Sequence, residues 1–238
     1  MDPILLVRND AYESFGVAPG ALASAGVDLV TVDATRPDSQ LPTLDRVAAV
    51  VMFGGTANIP RAEDHPYLAR VRDLAREALD REIPYLGLCL GSQLLAWACG
   101  VPVVRGPVRE VGFEPVRRTP EAKADPLLSF LEEEEIVLQW HEDTHELPGQ
   151  ATLLVTGDRV PVQGYRVGEL AWGLQFHAEV DAWELEWWLG IADAELDLAG
   201  TWGKSADEIR AEAREHMARQ EERGRELFRR FADLVRER

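Results

Sequence analysis

The chain is poor in cysteine, in basic residues and in long apolar runs, and each shortage removes a class of protein. Two cysteines in 238 residues, Cys89 and Cys99, cannot build a disulfide framework, and a reducing compartment suits them. Lys plus Arg number 25 against 42 Asp plus Glu, a formal charge of −17 that argues against a nucleic-acid backbone or an anionic membrane surface as the main partner. The longest unbroken apolar run, Val47–Phe53, falls far short of the ~20 residues of a membrane-crossing helix. Met1-Asp2-Pro3 places an acid where a signal peptide carries base, so the expected location is the cytoplasm. No stretch has the Gly, Pro and Ser content of a linker, and neither an internal repeat nor a low-complexity segment is evident. What is present is a hydrophobic content of 46%, enough for a core and incompatible with wholesale disorder.

The first hundred residues alternate short apolar runs with helical spacing. Ile4–Val7, Asp28–Val32, Val47–Phe53 and Pro84–Leu88 read as strands. Tyr12–Ala25, stopped by Gly26, and Gly91–Cys99, stopped by Gly100, read as helices. Tyr67, Leu68, Val71, Leu74, Ala75, Ala78 and Leu79 mark an amphipathic helix between them. Apolar strands separated by helices predict an α/β fold with a mostly parallel central sheet flanked by helices. After Gly100, Val101–Val104, Val111–Val116, Ile136–Trp140, Leu153–Val155, Val160–Tyr165 and Ala171–Phe176 predict a small antiparallel β portion, with Val167-Gly168-Glu169 as a hairpin bend. Asp125–Leu131 is expected as a short helix and Glu132–Glu135 as a solvated loop. From Asp181 the pattern is helical again, with Trp183, Trp187 and Trp188 on one face as packing residues. The expected division is a main domain over residues 1–200 and a charged C-terminal helical extension over 201–238 packed on it, with Leu227, Phe228, Phe231 and Leu234 as its apolar stripe.

Chemistry concentrates in Pro84-Tyr85-Leu86-Gly87-Leu88-Cys89-Leu90-Gly91-Ser92-Gln93. A strand runs through Gly-x-Cys-x-Gly into a helix, and the two glycines permit a sharp turn that lifts the sulfur to the carboxyl end of the sheet. A helix amino terminus favours the thiolate, and the turn aims the Leu90 amide where an oxyanion would form. The alternative is a buried structural cysteine at an ordinary turn. A cysteine nucleophile needs a base, and five histidines compete. His65 and His216 read as solvated. His141 and His145 lack a third convergent ligand, so no metal is expected. In His177-Ala178-Glu179 the two side chains point the same way in extended chain, so the carboxylate can fix the imidazole tautomer. Gly54-Gly55 ends a strand at the same sheet edge and offers a second oxyanion donor. Cys99 reads as a packed small side chain.

Together these segments resemble the class I (triad) glutamine amidotransferases over most of residues 1–190. Trp140-His141 with Asp143-Thr144, and Gln163 beyond, resemble the free-standing branch related to the glutaminase domain of GMP synthase. The resemblance implies a flavodoxin-like three-layer fold and no cofactor. It implies Cys89 as nucleophile, His177 as base and Glu179 as its orienting acid. The backbone amides of Gly55 and Leu90 become the oxyanion hole, and Gly54, Gln93, Trp140, His141 and Glu142 contact substrate. Two departures stand out. Ala178 replaces the family's proline, and Glu142 replaces a glycine, where its charge is expected to disfavour the carboxylate of a free amino acid.

The helical tail carries no Gly-x-x-x-x-Gly-Lys loop, so ammonia from glutamine would go to an acceptor on a separate synthase subunit. A γ-glutamyl peptidase using the same thioester is the second reading, and a non-catalytic binding or regulatory protein the third.

Overall fold

The computed structural model describes residues 1–195 and 197–238, and the side chains of all of these except 193–195. In chain order the elements are β1 (Ile4–Arg8), α1 (Ala18–Ser24), β2 (Leu29–Asp33), β3 (Ala49–Met52), α2 (Tyr67–Asp80), β4 (Tyr85–Leu88) and α3 (Leu90–Ala98). There follow β5 (Val103–Arg118), β6 (Glu134–His145), β7 (Ala151–Thr156), β8 (Gly164–Val167), β9 (Ala171–Leu174), α4 (Ala182–Glu195), α5 (Leu198–Trp202) and α6 (Ala206–Arg236). The strands form one sheet in the order β2-β1-β3-β4-β9-β8-β7-β5-β6.

β2, β1, β3, β4 and β9 are parallel, and β9 turns the sheet antiparallel by pairing β8 on its other edge. β1, β3, β4 and β9 are almost wholly buried, as continuous apolar strands covered on both faces must be. One face packs on α2 and α3 through residues such as Leu68, Val71, Leu94 and Leu95. The other packs on α1 and on the second half of α6, whose Leu227, Phe228, Phe231 and Val235 enter the same core cluster as Ile4, Leu6 and Leu22. A capping box at Ser205 and Glu208 starts α6.

The α/β class stands, with an antiparallel part larger than expected. Val103 and Val104 of the first run and all of Val111–Val116 belong to a single 16-residue β5, irregular between Arg105 and Glu110, which pairs with a 12-residue β6. Several local readings are corrected. Helix α1 begins only at Ala18, because Phe15 (φ 71) and Gly16 (φ 47) turn left-handed and make residues 9–17 a loop over the sheet edge. Asp125–Leu131 is a set of turns, since the Asp125 carboxylate takes the N–H groups of Leu127 and Leu128 and the indole N–H of Trp172. Glu134 and Glu135 lie in β6, and Glu135 is buried against Arg223 of α6 (3.0 Å). Val160 precedes β8 rather than opening it. Trp183 and Trp187 are exposed, at 64% and 37%, and do not pack as expected. His216 is partly covered by the Phe113 ring, 5.6 Å away.

Candidate active site

Four parallel strands, β1, β3, β4 and β9, deliver their carboxyl ends to one place, the position at which open α/β sheets hold their ligands. β4 delivers Cys89. Leu88 pairs with Leu174 of β9, and the Cys89 N–H bonds the Leu174 carbonyl (2.8 Å), so the sulfur and the residues after β9 start at the same level. Cys89 sits at φ 49°, ψ −107°, a conformation L residues seldom adopt, between β4 and α3. Leu90 opens α3, so its N–H is one of the four without an intrahelical acceptor. Met52, Tyr85 and Leu90 are essentially buried around this turn, and Tyr85 donates its hydroxyl to the Gly91 carbonyl (2.8 Å).

His177 follows β9, anchored by its N–H on the Leu138 carbonyl (2.9 Å), while Gln220 of α6 donates to its carbonyl. Its Nδ1 meets Oε1 of the fully buried Glu179 at 2.7 Å. Burial alone would lower the imidazole pKa, but the charges of Glu179 and of a Cys89 thiolate outweigh it and hold the ring well above the ordinary histidine value. The sequence pair His177-x-Glu179 therefore becomes a geometric pair. Ala178 in place of proline leaves that contact intact.

The loop after β3 is fixed to the loop after β1. Asn9 donates to the Phe53 carbonyl (2.9 Å), and Asp10 accepts from the Thr56 N–H (2.9 Å). A side chain on Gly54 would put its Cβ 3.0 Å from His177 Cε1, and one on Gly55 would lie 2.7 Å from the Asn9 carbonyl. Both positions need glycine for close approach.

These groups open onto a cavity of about 480 Å³. Of the expected site residues, Gly55, Cys89, Gln93, Trp140, His141, Glu142 and His177 line it. Gly54, Leu90 and Glu179 support that surface from behind. The Gln93 amide is committed to the Asp143 carbonyl (3.1 Å) and Gln175 (3.2 Å). His141 is held by Glu110 (3.0 Å), which also takes the Gln163 amide (2.8 Å). His145 turns instead to the Glu146 carbonyl (2.9 Å), away from any shared site with His141.

One expectation changes here. Glu142 is not a free charge facing the cavity: Arg109 (2.8 Å) and Arg105 both pair with it. Burial would raise the carboxyl, yet the two guanidinium groups keep it below its ordinary value and neutralise it locally.

Several lining residues lie outside the expected site. Asp10, Tyr12 and Glu13 come from the loop after β1, and Asn58 from the loop after β3. Trp188 and Trp202 come from α4 and α5. The first three stand just after a buried parallel strand, which is the one signal that could have found them. Cys99 lies apart, half-buried at the end of α3, and burial pushes its thiol up.

A mostly parallel sheet that sets a left-handed Cys89 on a strand-to-helix turn, near a His177–Glu179 pair, is an α/β site centred on a cysteine. The sequence model "Glutamine amidotransferase class-I" matches residues 10–185, and the chain belongs to that family. The glutamine amidotransferase-like protein YfeJ of Salmonella typhimurium is 29% identical over 213 residues, covering 86% of this chain and 88% of that protein. GMP synthase of Yarrowia lipolytica is 30% identical over 147 residues, 61% of this chain but 26% of the synthase, so the chain spans about a quarter of that enzyme. Among solved structures, a glutamine amidotransferase from Thermotoga maritima superposes with a TM-score of 0.85 at 28% identity, over 98% of each chain. One from Methylobacillus flagellatus gives 0.86 at 25%, over 98% of this chain and 95% of that one.

Proposed function

We propose that the protein hydrolyses the side-chain amide of glutamine or of a γ-glutamyl compound through a thioester on Cys89. The observation that carries this reading is the 2.7 Å His177–Glu179 contact at the mouth of the turn that presents Cys89. The Cys89 thiolate attacks the amide carbon and a C–S bond forms. The N–H groups of Gly55 and Leu90 receive the oxyanion. The C–N bond then breaks as His177 gives its proton to the departing ammonia or amine. Next, His177 takes a proton from water, which attacks the thioester and releases the γ-carboxylate and the thiol. Glu179 keeps the imidazole in one tautomer throughout.

The amide of glutamine is the leading substrate, with ammonia passed to an acceptor on a separate synthase subunit in the cytoplasm. A specific observation also favours the γ-glutamyl peptidase reading. The cavity falls in the range of about 300–1,000 Å³ that takes drug-sized ligands, and part of its wall is built from Trp140, Trp188 and Trp202. A free amino acid leaves much of that wall uncovered, whereas a γ-glutamyl amide of a larger amine would fill it.

The test is a substrate panel of free glutamine and γ-glutamyl dipeptides and anilides, with wild type, Cys89→Ala, His177→Ala and Glu179→Gln. Activity should vanish in the first two variants and survive weakly in the third, since an orienting carboxylate commonly contributes less than nucleophile or base. Turnover by Cys89→Ala equal to wild type would overturn the mechanism.

A further inference from the structure

Behind Glu179 lies a cluster that this chemistry does not use. Glu13, on the loop after β1, and Glu184, in the first turn of α4, are 3% and 0% exposed beside the equally buried Glu179. Three carboxyl groups share one desolvated volume, and the ionisable group facing them is the His177 imidazole. The other charged groups nearby are committed elsewhere. Arg8 lies over the Phe15 ring, 5.2 Å from its centroid, and Asp181 caps the Glu184 N–H (2.9 Å). From α6 the facing group is the neutral amide of Gln220.

Donors are scarce as well. Oε1 of Glu13 takes the Phe15 N–H (2.8 Å) and Oε1 of Glu184 takes that of Ser14 (2.5 Å). Oε2 of Glu184 and Oε2 of Glu179 find no donor among the described residues. Glu184 and Glu13 are set side by side by the successive N–H groups of Ser14 and Phe15 that they accept. Two adjacent carboxyl groups in a desolvated site cannot both ionise, and a proton held between them is the donor that Glu184 lacks.

We propose that Glu13 and Glu184 are positioning residues that hold one proton between them as an acid–carboxylate pair, leaving Glu179 as the ionised partner of His177 and adding one negative charge behind the imidazolium. Glu179 wins the charge because it alone of the three contacts the ring. The pair acts on the reaction through that ring, by prolonging the pH range over which His177 keeps the proton it must deliver. Burial, with the charges of Glu184 and Glu179, raises the Glu13 carboxyl well above its ordinary value, as expected for a member of such a pair.

This inference rests on the proposed roles of Cys89, His177 and Glu179, so its test reads His177 directly. Histidine labelled with carbon-13 is titrated by NMR in wild type, Glu13→Gln, Glu184→Gln and the double variant carrying both replacements, with His177→Ala identifying the signal. A single glutamine stands in for the protonated acid and leaves the pair's one charge, so the His177 midpoint should stay put in each single variant and fall by roughly one pH unit in the double variant. The basic limb of kcat should fall by the same interval with KM unchanged. A double-variant midpoint within about 0.2 unit of wild type, or a full fall already in either single variant, overturns the pair. A shifted midpoint in a protein that cleaves no γ-glutamyl amide keeps the pair and overturns the proposed function instead. If the double variant fails to fold, Glu13→Gln combined with Glu184→Met carries the same readout.

Discussion

The indole of Trp188 stands edge-on to the imidazole of His177, ring centroids 5.1 Å apart and planes at 77°. Its N–H is tied to the Tyr12 carbonyl at 3.2 Å, so α4 and the loop after β1 grip the ring from one side while Glu179 holds Nδ1. The C-terminal elements therefore help to build the site as well as the core. Trp188→Ala should lower kcat at least about tenfold, because a base free to rotate loses its aligned geometry. Trp188→Phe should recover most of the rate. Steady-state kinetics on both variants, with circular dichroism as the folding control, checks this.

Gly54 makes the same point from the opposite side. A methyl group there would meet His177 Cε1 at 3.0 Å and Cys89 Cβ at 3.5 Å. Gly54→Ala should leave thermal stability nearly unchanged and cut kcat by roughly 10–100-fold, since displacements of about 1 Å at a reacting group cost that much. Unfolding without a selective loss of kcat would contradict the account.

The turn around Cys89 was legible because Gly87 and Gly91 bracket it after an apolar strand, and His177-x-Glu179 because extended chain aligns the pair. Trp188, Glu13 and Glu184 were not legible. Each sits in a segment with an adequate local explanation, a helix face or a polar loop, and gains its role from chain up to 170 residues away, as in the Ser14 N–H bond to Glu184. The misread helices failed for a related reason. The small, mixed segment Tyr12–Ala25 does carry a helix over Ala18–Ser24, but the left-handed Phe15 and Gly16 serve the sheet edge and delay its start. In Asp125–Leu131 a buried side chain, hydrogen-bonded to Trp172 and paired with Arg166 (3.2 Å), replaces the helix with turns.

Stability should depend on pH through Glu184. Burial, with the charge of Glu179, pushes this carboxyl up to about 7 in the folded chain, whereas an unfolded glutamate titrates near 4.3. The folded state thus binds the extra proton between those values. The contribution is complete below about pH 4.3 and is lost as pH rises through about 7. Glu184→Gln has no such proton to lose. Chemical denaturation of both proteins should show the variant gaining on wild type across that interval, by up to about 3 kcal/mol. Parallel curves would contradict it.

Phe231 of α6 is fully buried in the cluster that contains Ile4, Leu6 and Leu22. Phe231→Ala should destabilise the whole chain by about 3–5 kcal/mol in one cooperative transition. An early, separate melting of α6 with the remainder unaffected would show that the helix is an appendage.

The central claim is a covalent γ-glutamyl intermediate on Cys89. Acid-quenched mixtures with glutamine and with a γ-glutamyl anilide, read by intact and peptide mass spectrometry, test it most directly. The account predicts an adduct of γ-glutamyl mass on the Cys89 peptide, absent from Cys89→Ala and accumulating when deacylation is slowed in Glu179→Gln. Turnover with no adduct in any variant, or an adduct on Cys99, would contradict it.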